Sequence, residues 1–337
     1  MRQLEFVAKE RLEWREAPDA VLQGDGEAVV RPLAVATCDL DLLIVRGLVP
    51  TEEPFPFGHE CVAEVVDVGD SVEGFKPGDR VSVPFQVSCG ECDRCRRGNT
   101  GNCERVERMA MYGLPMGTNY GGFLSDVARV PFADAMLVPV PEGVGSEQVA
   151  SLSDNIPDAW RTVAPQLEAR PGSPVLICAS AASIALYATA IALALGAERV
   201  DFAGGNSYLR GKASELGANL LDEEFPERFG SYPITVDASV DPAGLSCALR
   251  STEPDGVCTC IGIYFTDTPL PLFQMYSKNV TFHIGRCHAR PAMEPILDLV
   301  REGRFAPEKV TAETADWDDA AEAVAGHRGK LVVSRAA

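Results

Sequence analysis

The sequence lacks any apolar run long enough to cross a membrane. The longest, over residues 184–195, is interrupted by Tyr187 and Thr189, and it is far shorter than the roughly 20 residues that a membrane helix needs. The N-terminus, with Arg2 and Glu5 among its first residues, has no apolar segment of the kind that signal peptides carry. We therefore expect no membrane insertion and no secretion, and we expect the protein in the cytoplasm.

Positive charge is also scarce. The chain has 30 Lys and Arg against 49 Asp and Glu, which gives a net charge of -19 at pH 7. Such a surface repels phosphate backbones and anionic lipids, so nucleic acids and membranes are excluded as partners. The remaining composition is that of a globular protein, and 337 residues are enough for two domains.

Cysteine, by contrast, is abundant. Eleven cysteines without a secretory signal indicate a reducing compartment, where thiols bind metals rather than form disulfides. Six of them occur mostly in apolar stretches and are predicted to pack in the core: Cys61, Cys178, Cys247, Cys258, Cys260 and Cys287.

Four more cysteines are closely spaced, in a C-x2-C-x2-C-x7-C motif formed by Cys89, Cys92, Cys95 and Cys103. Four thiolates at such spacings can surround one tetrahedral zinc ion and leave no open position. An iron–sulfur cluster is the nearest alternative, but the bacterial four-cysteine run closes with three intervening residues and a proline. Here the last gap is seven and Glu104 follows. The motif predicts a structural zinc lobe over about residues 86–108.

The hydrophobic pattern divides the chain. The first third is rich in short β-branched runs bounded by turn residues, at 28–33, 61–68 and 80–84. From about residue 170 strands alternate with helices, which is typical of a parallel sheet covered on both faces. The predicted strands there are 174–178, 199–202, 234–238, 257–261 and 280–284, and the helices are 183–195 and one ending at 216–217. A helix over 295–301 and a strand over 330–334 follow.

Together these features resemble the zinc-dependent medium-chain alcohol dehydrogenases along nearly the whole chain. Within that family, Ser153-Asp154-Asn155-Ile156-Pro157 resembles the branch in which Asp replaces the usual Cys as third catalytic zinc ligand. The other matching segments are Cys38-Asp39-Leu40-Asp41, Gly58-His59-Glu60, the four-cysteine lobe, Tyr120-Gly121-Gly122-Phe123 and a strand–turn–helix near 175–195.

The resemblance implies an α/β protein with a β-rich, GroES-like catalytic domain and a Rossmann domain with a doubly wound parallel sheet. The catalytic domain is expected over 1–157 and the Rossmann domain over 158–288, with 289–337 returning to the first. Zinc and substrate are expected in the cleft between the two domains. The family also implies a homodimer or homotetramer, in which strands near 280–285 pair across a dimer.

A catalytic zinc needs about three protein ligands and one open position. The resemblance assigns these ligands to Cys38, His59 and Asp154. It also makes Asp41 the acid that fixes the tautomer of the zinc-bound histidine, and Glu60 the carboxylate that can approach the metal. The alternatives from the residues alone are a core thiol at Cys38, a helix N-cap at Asp154, and solvated surface acids at positions 41 and 60.

One position departs from the family. Two residues after the ligand Cys a Ser or Thr usually relays the substrate proton, and here Leu40 stands there, with Leu43 where a relay His often lies. A leucine side chain neither donates nor accepts a proton. Water, Glu60 or Asp154 relays the proton instead, or the reaction is not simple alcohol oxidation.

The expected dinucleotide fingerprint also departs from its pattern. Alignment of Ile184 with the family motif places Ser180, Ala182 and Ala185 where small residues let backbone amides meet a pyrophosphate. None of the three is glycine. The segment is therefore predicted as a cofactor-binding turn on context alone, and an ordinary α/β packing turn remains the alternative.

The acid expected to hold the ribose hydroxyls is missing. Its place falls near Gly204, and the neighbouring Asn206 and Arg210 suit a 2′-phosphate, which favours NADP(H) over NAD(H). If the alignment is shifted by two or three residues, Asp201 is the acid instead. Three further residues resemble strand ends that contact nicotinamide, although ordinary turns are an alternative for them: Ile261, Gly262 and Gly285.

The function predicted first is that of a zinc-dependent oxidoreductase, which transfers a hydride between a nicotinamide cofactor and a small alcohol or carbonyl compound polarised by zinc. The alternative is a relative that kept zinc but lost or changed the hydride chemistry. Such a protein would be a non-redox enzyme, such as a lyase, or a binding or regulatory protein. The missing relay hydroxyl and the fingerprint without glycine support this alternative.

Overall fold

A computed structural model describes residues 1–51, 53–114, 118–180 and 183–335. The strands are β1 (Arg2–Ala8), β2 (Arg11–Glu16), β3 (Ala28–Ala36), β4 (Phe55–Pro56), β5 (Glu60–Val68), β6 (Arg80–Val83), β7 (Ala128–Val130), β8 (Val138–Pro139), β9 (Val175–Ala179), β10 (Val200–Gly204), β11 (Asn219–Leu220), β12 (Tyr232–Ala238), β13 (Thr252–Cys260), β14 (Thr281–Ile284), β15 (Glu313–Asp316) and β16 (Leu331–Ser334). The helices are α1 (Asp39–Val45), α2 (Asp93–Arg96), α3 (Ala133–Met136), α4 (Asn155–Ala169), α5 (Ser183–Ala194), α6 (Ser207–Glu215), α7 (Pro242–Ser251), α8 (Leu272–Lys278), α9 (Ala289–Arg301) and α10 (Ala320–Gly326).

The chain divides into two compact units. The first comprises Met1–Pro157, Cys287–Gly303 and Pro307–Ala337, and the second comprises Asp158–Arg286 and Arg304–Ala306. The C-terminal segment therefore lies mostly in the first unit, together with the β-rich N-terminal part of the chain.

The first unit contains a seven-stranded sheet in which β3 pairs with β5, β7 and β16. The antiparallel register places Ala36 opposite Glu60. Because Cys38 follows Ala36 by two residues and His59 directly precedes Glu60, both leave the sheet at the same end. This register brings together two residues that are far apart in sequence.

The second unit is built on one six-stranded sheet of order β11-β10-β9-β12-β13-β14, in which every pair is parallel. Strands β9 and β12 are buried throughout, as expected for a sheet covered on both faces. The register aligns the carboxyl ends of the central strands at one edge: Ala179, Gly204, Ala238, Cys260 and Ile284. The predicted α/β fold with a parallel sheet is confirmed, and this edge is where such sheets bind ligands.

Two boundaries differ from the sequence-based expectation by five or six residues, and the others by at most three. Strand β13 begins at Thr252 rather than 257, and α9 begins at Ala289 rather than 295. In the structure Pro295 lies inside the helix, and the buried face around Met293 and Ile296 extends the helix further toward its N-terminus.

None of the helices over the described ranges is long and apolar enough to cross a bilayer.

Candidate active site and metal centres

The first part of the site is the N-terminus of α1. Cys38 is the N-cap: its Sγ accepts a hydrogen bond from the Leu40 N–H at 3.4 Å, and Asp41 Oδ2 accepts one from the Cys38 N–H at 2.8 Å. This reciprocal capping box explains why a cysteine and an aspartate occur three residues apart. It fixes both side chains, and the N–H donated to the sulfur favours a thiolate.

His59 is positioned by the tight turn that precedes β5. Gly58 has a φ of +93°, and a Cβ at this position would lie 3.0 Å from the backbone nitrogen of Leu124. Glycine is therefore required at this position. The His59 ring is buried between two acids, with Nδ1 at 3.6 Å from Asp41 Oδ1 and Nε2 at 3.5 Å from Asp154 Oδ2.

Asp154 is brought to the site by its neighbour Ser153. The Ser153 hydroxyl accepts a hydrogen bond from the Cys61 N–H at 2.8 Å and donates to the Cys61 carbonyl at 3.2 Å. These bonds fasten the turn before α4 to β5. Asp154 therefore lies beside His59 and Glu60, although more than ninety residues separate them in sequence.

The structure thus assembles four potential metal-binding groups, from Cys38, His59, Glu60 and Asp154. One ligand atom from each lies within 4.8 Å of all the others. A thiolate, an imidazole and a carboxylate are donors that zinc prefers, so the residues fit a zinc ion. Neither His59 Nδ1 nor Asp41 Oδ1 has a hydrogen-bond partner within the described residues. Their mutual approach suits a second carboxylate that orients a metal-binding histidine through its other nitrogen.

The electrostatics of this cluster also fit a bound cation. Burial raises the pKa of the Cys38 thiol well above its usual range, and the carboxylates of Asp154 and Asp41 raise it further. Burial lowers the pKa of His59, but the nearby Asp41 and Asp154 outweigh this effect and raise it to about 9. A buried thiol and several acids repel each other when ionised, and a divalent cation removes this repulsion.

Glu60 has a partner that the sequence analysis missed. Lys330 Nζ lies 2.6 Å from Glu60 Oε2 and 2.7 Å from Asn155 Oδ1, and both charged side chains are almost completely buried. Burial raises the pKa of Glu60 to about 7, against the lowering effect of Lys330. The available signal was a lysine directly before the buried strand β16, a position where an unpaired charge is costly.

Asn155 connects this ion pair to the potential ligands. Its Nδ2 donates to Cys38 Sγ at 3.3 Å and to Asp154 Oδ2 at 3.1 Å, and its backbone N–H donates to Glu60 Oε1 at 3.1 Å. Asn155 therefore contacts three of the four groups that surround the candidate metal position. In the sequence this residue stands within the motif around Asp154, and nothing in the motif alone indicates a role for it.

Leu40 offers no hydroxyl at the site. It is partly buried and packs against the core of the first unit. A leucine side chain cannot pass on a proton, so this position differs chemically from that of the family.

The four-cysteine motif folds as a separate cluster in the first unit. The four sulfurs of Cys89, Cys92, Cys95 and Cys103 lie within 4.8 Å of one another, and those of Cys92 and Cys103 are 4.0 Å apart. Zn–S bonds of about 2.3 Å in a tetrahedron place sulfurs roughly 3.8 Å apart, so the donor set fits one zinc ion.

Backbone N–H groups support these sulfurs. The Cys92 N–H donates to Cys89 Sγ, and the Glu104 N–H donates to Cys92 Sγ, each at 3.4 Å. Hydrogen bonds from the backbone of Glu104 and Cys95 lower the pKa of Cys92 to about 6. Such donors stabilise thiolates, which are the form that binds metal.

The residues expected at the pyrophosphate lie at the junction of β9 and α5 in the second unit. Ser180 follows β9, and its N–H donates to the Ala238 carbonyl at 3.4 Å. Ile184 and Ala185 are in the first turn of α5, with Ala185 fully buried. Ala182 lies outside the described residues. Strand β9 and the N-terminus of α5 thus follow each other in the order that a dinucleotide site needs, with residues 181–182 between them outside the described ranges.

Gly204 is the last residue of β10, and its backbone conformation explains why this position carries no acidic side chain. Its φ is +77°, and a Cβ would lie 2.3 Å from the Ala179 carbonyl oxygen. No side chain fits here without a backbone shift. Arg210 is held beside this strand end, since its Nη1 donates to the Gly204 carbonyl at 3.2 Å and its Nη2 to the Leu221 carbonyl at 2.7 Å. Asn206 caps α6 by accepting a hydrogen bond from the Leu209 N–H.

Asp201, the alternative ribose acid, lies inside β10 and is 2% exposed. Its two oxygens accept hydrogen bonds from Arg199, Asn219 and Tyr232. These three donors satisfy the carboxylate within the protein, so the shifted alignment is not supported.

The three residues expected near nicotinamide follow the ends of two neighbouring strands. Ile261 and Gly262 follow β13, and Gly285 follows β14. The Ile261 N–H donates to the Asp237 carbonyl at 3.0 Å, and Gly285 has a φ of +146°. The structure therefore places them at the ligand-binding edge of the parallel sheet.

Comparisons with known proteins agree with this arrangement. The alcohol dehydrogenase GroES-like domain matches residues 24–142. A medium chain reductase/dehydrogenase, ucsI, from an Acremonium species is 30% identical over 291 residues, which cover 80% of this chain and 96% of that protein. Zinc-type alcohol dehydrogenase B from Aspergillus flavus is 26% identical over 333 residues, covering 90% of this chain and 73% of that protein.

Among solved structures, the alcohol dehydrogenase TADH from Thermus sp. ATN1 superimposes with a TM-score of 0.88 at 27% identity. The match covers 100% of both chains. The similarity therefore extends over both units and is not limited to the β-rich part.

Proposed function

Because this chain belongs to the zinc-dependent medium-chain alcohol dehydrogenase family, we propose that it transfers a hydride between a nicotinamide cofactor and a small alcohol or carbonyl compound. Membership in the family makes it a zinc-dependent oxidoreductase. The observation that carries the proposal is the buried cluster of Cys38, His59 and Asp154, whose ligand atoms lie within 4.8 Å of one another beside Glu60.

Cys38, His59 and Asp154 would hold a catalytic zinc, and the four lobe cysteines would hold a structural one. When bound at the first site, zinc supplies a Lewis acid for an alcohol or carbonyl oxygen. Asp41 orients the imidazole of His59, and Asn155 holds the thiol of Cys38 and the carboxylate of Asp154 in place. Glu60 stays beside this cluster because Lys330 anchors it.

The proton must leave the substrate by a route without a side-chain hydroxyl at position 40. Leu40 packs against the core of the first unit and cannot relay a proton. Glu60 is the remaining carboxylate within the cluster that the proposed ligand set does not use. We assign it the role of accepting or returning a proton through water.

For the cofactor, we propose the edge of the parallel sheet in the second unit. Two structures with this fold, from Sinorhizobium meliloti and Geotrichum candidum, hold NADP and NAD respectively. NADP(H) is favoured here because position 204 carries no carboxylate to repel a 2′-phosphate and Arg210 lies beside it. The carboxylate nearest to this arginine is that of the exposed Glu223, at 3.6 Å from Nε. The backbone at Ser180, Ile184 and Ala185 would meet the pyrophosphate, and Asn206 would lie near the ribose. Ile261, Gly262 and Gly285 would lie near nicotinamide.

Zinc analysis combined with cofactor titration tests the proposal. The purified wild-type chain should contain two zinc ions, while Asp154→Ala and Cys103→Ser should each contain one. The fluorescence of NADPH should change when it binds to the wild type or to Asp154→Ala. Oxidation of alcohols by Asp154→Ala should fall in proportion to the zinc that is missing from the first site. One zinc in the wild type, or no response to either NADPH or NADH, would refute the proposal.

We also propose that the chain forms a dimer through the β14 edge of the second unit, with a homotetramer as a pair of such dimers. Strand β14 is the outer strand of its sheet, so its free edge can pair with a second copy. Large apolar side chains cluster in sequence around it and are highly exposed: Phe265, Leu272, Phe273, Tyr276 and Ile284. Such a patch marks an interaction surface.

Light scattering coupled to gel filtration tests this interface. Phe273→Glu, at a side chain 77% exposed, should shift the chain toward monomers because a buried charge opposes association. Val21→Glu, at an exposed residue of the first unit, is the matched control and should leave the mass unchanged. A monomeric wild type would refute the proposed dimer.

A reducing compartment, the cytoplasm, is the location that we propose. All eleven cysteines are free thiols, and the sulfurs of the two proposed zinc sites bind metal only when reduced.

A further inference from the structure

Arg161 lies on α4 and contacts the ends of two neighbouring strands in the second unit. Its Nη2 donates to the carbonyl oxygens of Cys260 at 3.3 Å and of Gly285 at 2.6 Å. Its Nε donates to Asp158 Oδ1. Cys260 ends β13 and Gly285 follows β14, so one guanidinium group binds two carbonyl groups at the ligand-binding edge of the sheet.

This arginine still has donors to offer. A guanidinium carries five N–H groups, and its Nη1 carries two of them. Over the part of the chain that the structure describes, Nη1 of Arg161 donates to no protein acceptor, while Nη2 and Nε do. The side chain is 22% exposed, so a ligand at this edge can reach it.

The same contacts make this edge unfavourable for an NH2 group. The carboxamide of nicotinamide has one carbonyl oxygen, which accepts hydrogen bonds, and one NH2 group, which donates them. The Gly285 and Cys260 carbonyls at the ends of β13 and β14 each accept from Arg161. Each oxygen keeps a second lone pair, but the guanidinium places a positive charge beside it, and this charge disfavours an NH2 donor. The oxygen of the carboxamide, in contrast, finds a free charged donor.

We propose that Arg161 is a specificity-determining residue of the cofactor site and binds the carboxamide oxygen of nicotinamide through Nη1. The protein then recognises the carbonyl oxygen of this group and is indifferent to its NH2 group. Asp158 holds the guanidinium in the required orientation and balances its charge. This inference rests on the proposed function, since it assigns a role to Arg161 in the same nicotinamide site.

Binding of three compounds tests the inference: NADP+, its 3-acetylpyridine analogue, and 2′-phospho-ADP-ribose. The analogue keeps the carbonyl oxygen but has a methyl group in place of NH2, and the third compound lacks the nicotinamide ring. By calorimetry, the wild type should bind NADP+ and the analogue within about 3-fold of each other. Arg161→Met should bind both about 10- to 100-fold more weakly, as expected for a lost hydrogen bond to a charged group, and should bind 2′-phospho-ADP-ribose unchanged.

Arg170→Met is the matched control. Arg170 follows the end of the same helix and makes the same kinds of contact near the start of β13, with the Glu253 carboxylate at 3.1 Å and with the Asp255 carbonyl. The two variants lose comparable hydrogen bonds. The midpoint of thermal unfolding, measured for both, shows how much each substitution affects stability. Only Arg161→Met should change the affinity for NADP+.

Two results would overturn the inference while leaving the proposed function intact. One is a wild type that binds the acetylpyridine analogue at least about 10-fold more weakly than NADP+, since the NH2 group would then be recognised. The other is an Arg161→Met variant with unchanged affinity for NADP+. If the wild type binds none of the three compounds, nor NAD+ and its analogue, the nicotinamide function itself is wrong and the inference falls with it.

Discussion

Lys330 and Glu60 form an ion pair of 2.6 Å in the interior of the first unit, with side chains only 1% and 0% exposed. They are 270 residues apart in sequence, and both also contact Asn155. A buried pair of this kind does not by itself add stability, but loss of one partner leaves an uncompensated charge. The candidate metal site therefore depends on a residue close to the end of the chain.

Lys330→Met should lower the free energy of unfolding by about 3–5 kcal/mol, because Glu60 then remains buried without its cation. Urea denaturation monitored by circular dichroism measures this change. The double variant Lys330→Met/Glu60→Gln should recover part of the loss. Arg31→Met, which breaks the exposed pair with Glu64 at 3.1 Å, is the control and should cost at most about 1 kcal/mol. A loss below about 1 kcal/mol for Lys330→Met would show that the pair is not important for folding.

Asn155→Ala should weaken zinc binding at the first site by about 10- to 100-fold, as is usual when a residue that orients metal ligands is removed. The reason is that Asn155 Nδ2 contacts both Cys38 Sγ and Asp154 Oδ2. Competition with a chromogenic chelator measures the affinity, and the zinc of the four-cysteine lobe serves as internal reference. Asn219→Ala is the control, because the Asn219 side chain donates to Asp201 and not to a proposed zinc ligand. It should leave both zinc affinities unchanged. Equal affinity in Asn155→Ala and the wild type would contradict this role.

Asp201 should contribute stability that disappears in acid. Burial raises the pKa of its carboxyl group, but hydrogen bonds from Asn219, Arg199 and Tyr232 outweigh burial and lower it. A carboxyl group with a lowered folded-state pKa contributes stability above its unfolded value of about 3.9, and this contribution is lost as the pH falls through the folded value. Asp201→Asn should therefore be less stable than the wild type at pH 7, with a smaller difference near pH 3.

Urea midpoints at the two pH values provide this measurement. Asp70→Asn changes an acid on an exposed turn and should alter the unfolding free energy by less than about 0.5 kcal/mol at either pH. A difference between Asp201→Asn and the wild type that is the same at both pH values would argue against the hydrogen-bonded carboxylate as its source.

Gly204→Ala should lower the unfolding free energy by about 2 kcal/mol or more. The added Cβ would meet the Ala179 carbonyl oxygen at 2.3 Å, at a φ of +77° that side chains rarely adopt. Gly211→Ala is the matched control, because Gly211 lies in α6 with open space around it and should gain about 0.5–1 kcal/mol. Equal effects of the two substitutions, measured by thermal unfolding, would show that the close approach at Gly204 is not rigid.

Much of the site was predictable because its chemistry depends on residue types and on short spacings in the sequence. Cys38 and Asp41 are three residues apart because they cap the same helix, and the four lobe cysteines lie within one short segment. The parallel sheet followed from the alternation of apolar strands with helices. Arg161, Asn155 and Lys330 were not predictable in this way, because an arginine, an asparagine and a lysine carry no pattern until their partners are known.

The α/β class, the two groups of metal-binding side chains and the absence of an acid at position 204 could all be predicted from the order of amino acids. Each of these depends on local chemistry: the period of apolar residues, the spacing of thiols, or the identity of one residue. The folded chain was needed to show why position 204 must be glycine, that Lys330 neutralises Glu60, and that Arg161 binds the ends of β13 and β14. Those facts depend on close approaches between segments distant in sequence, which form when strands pair in register and bury their side chains.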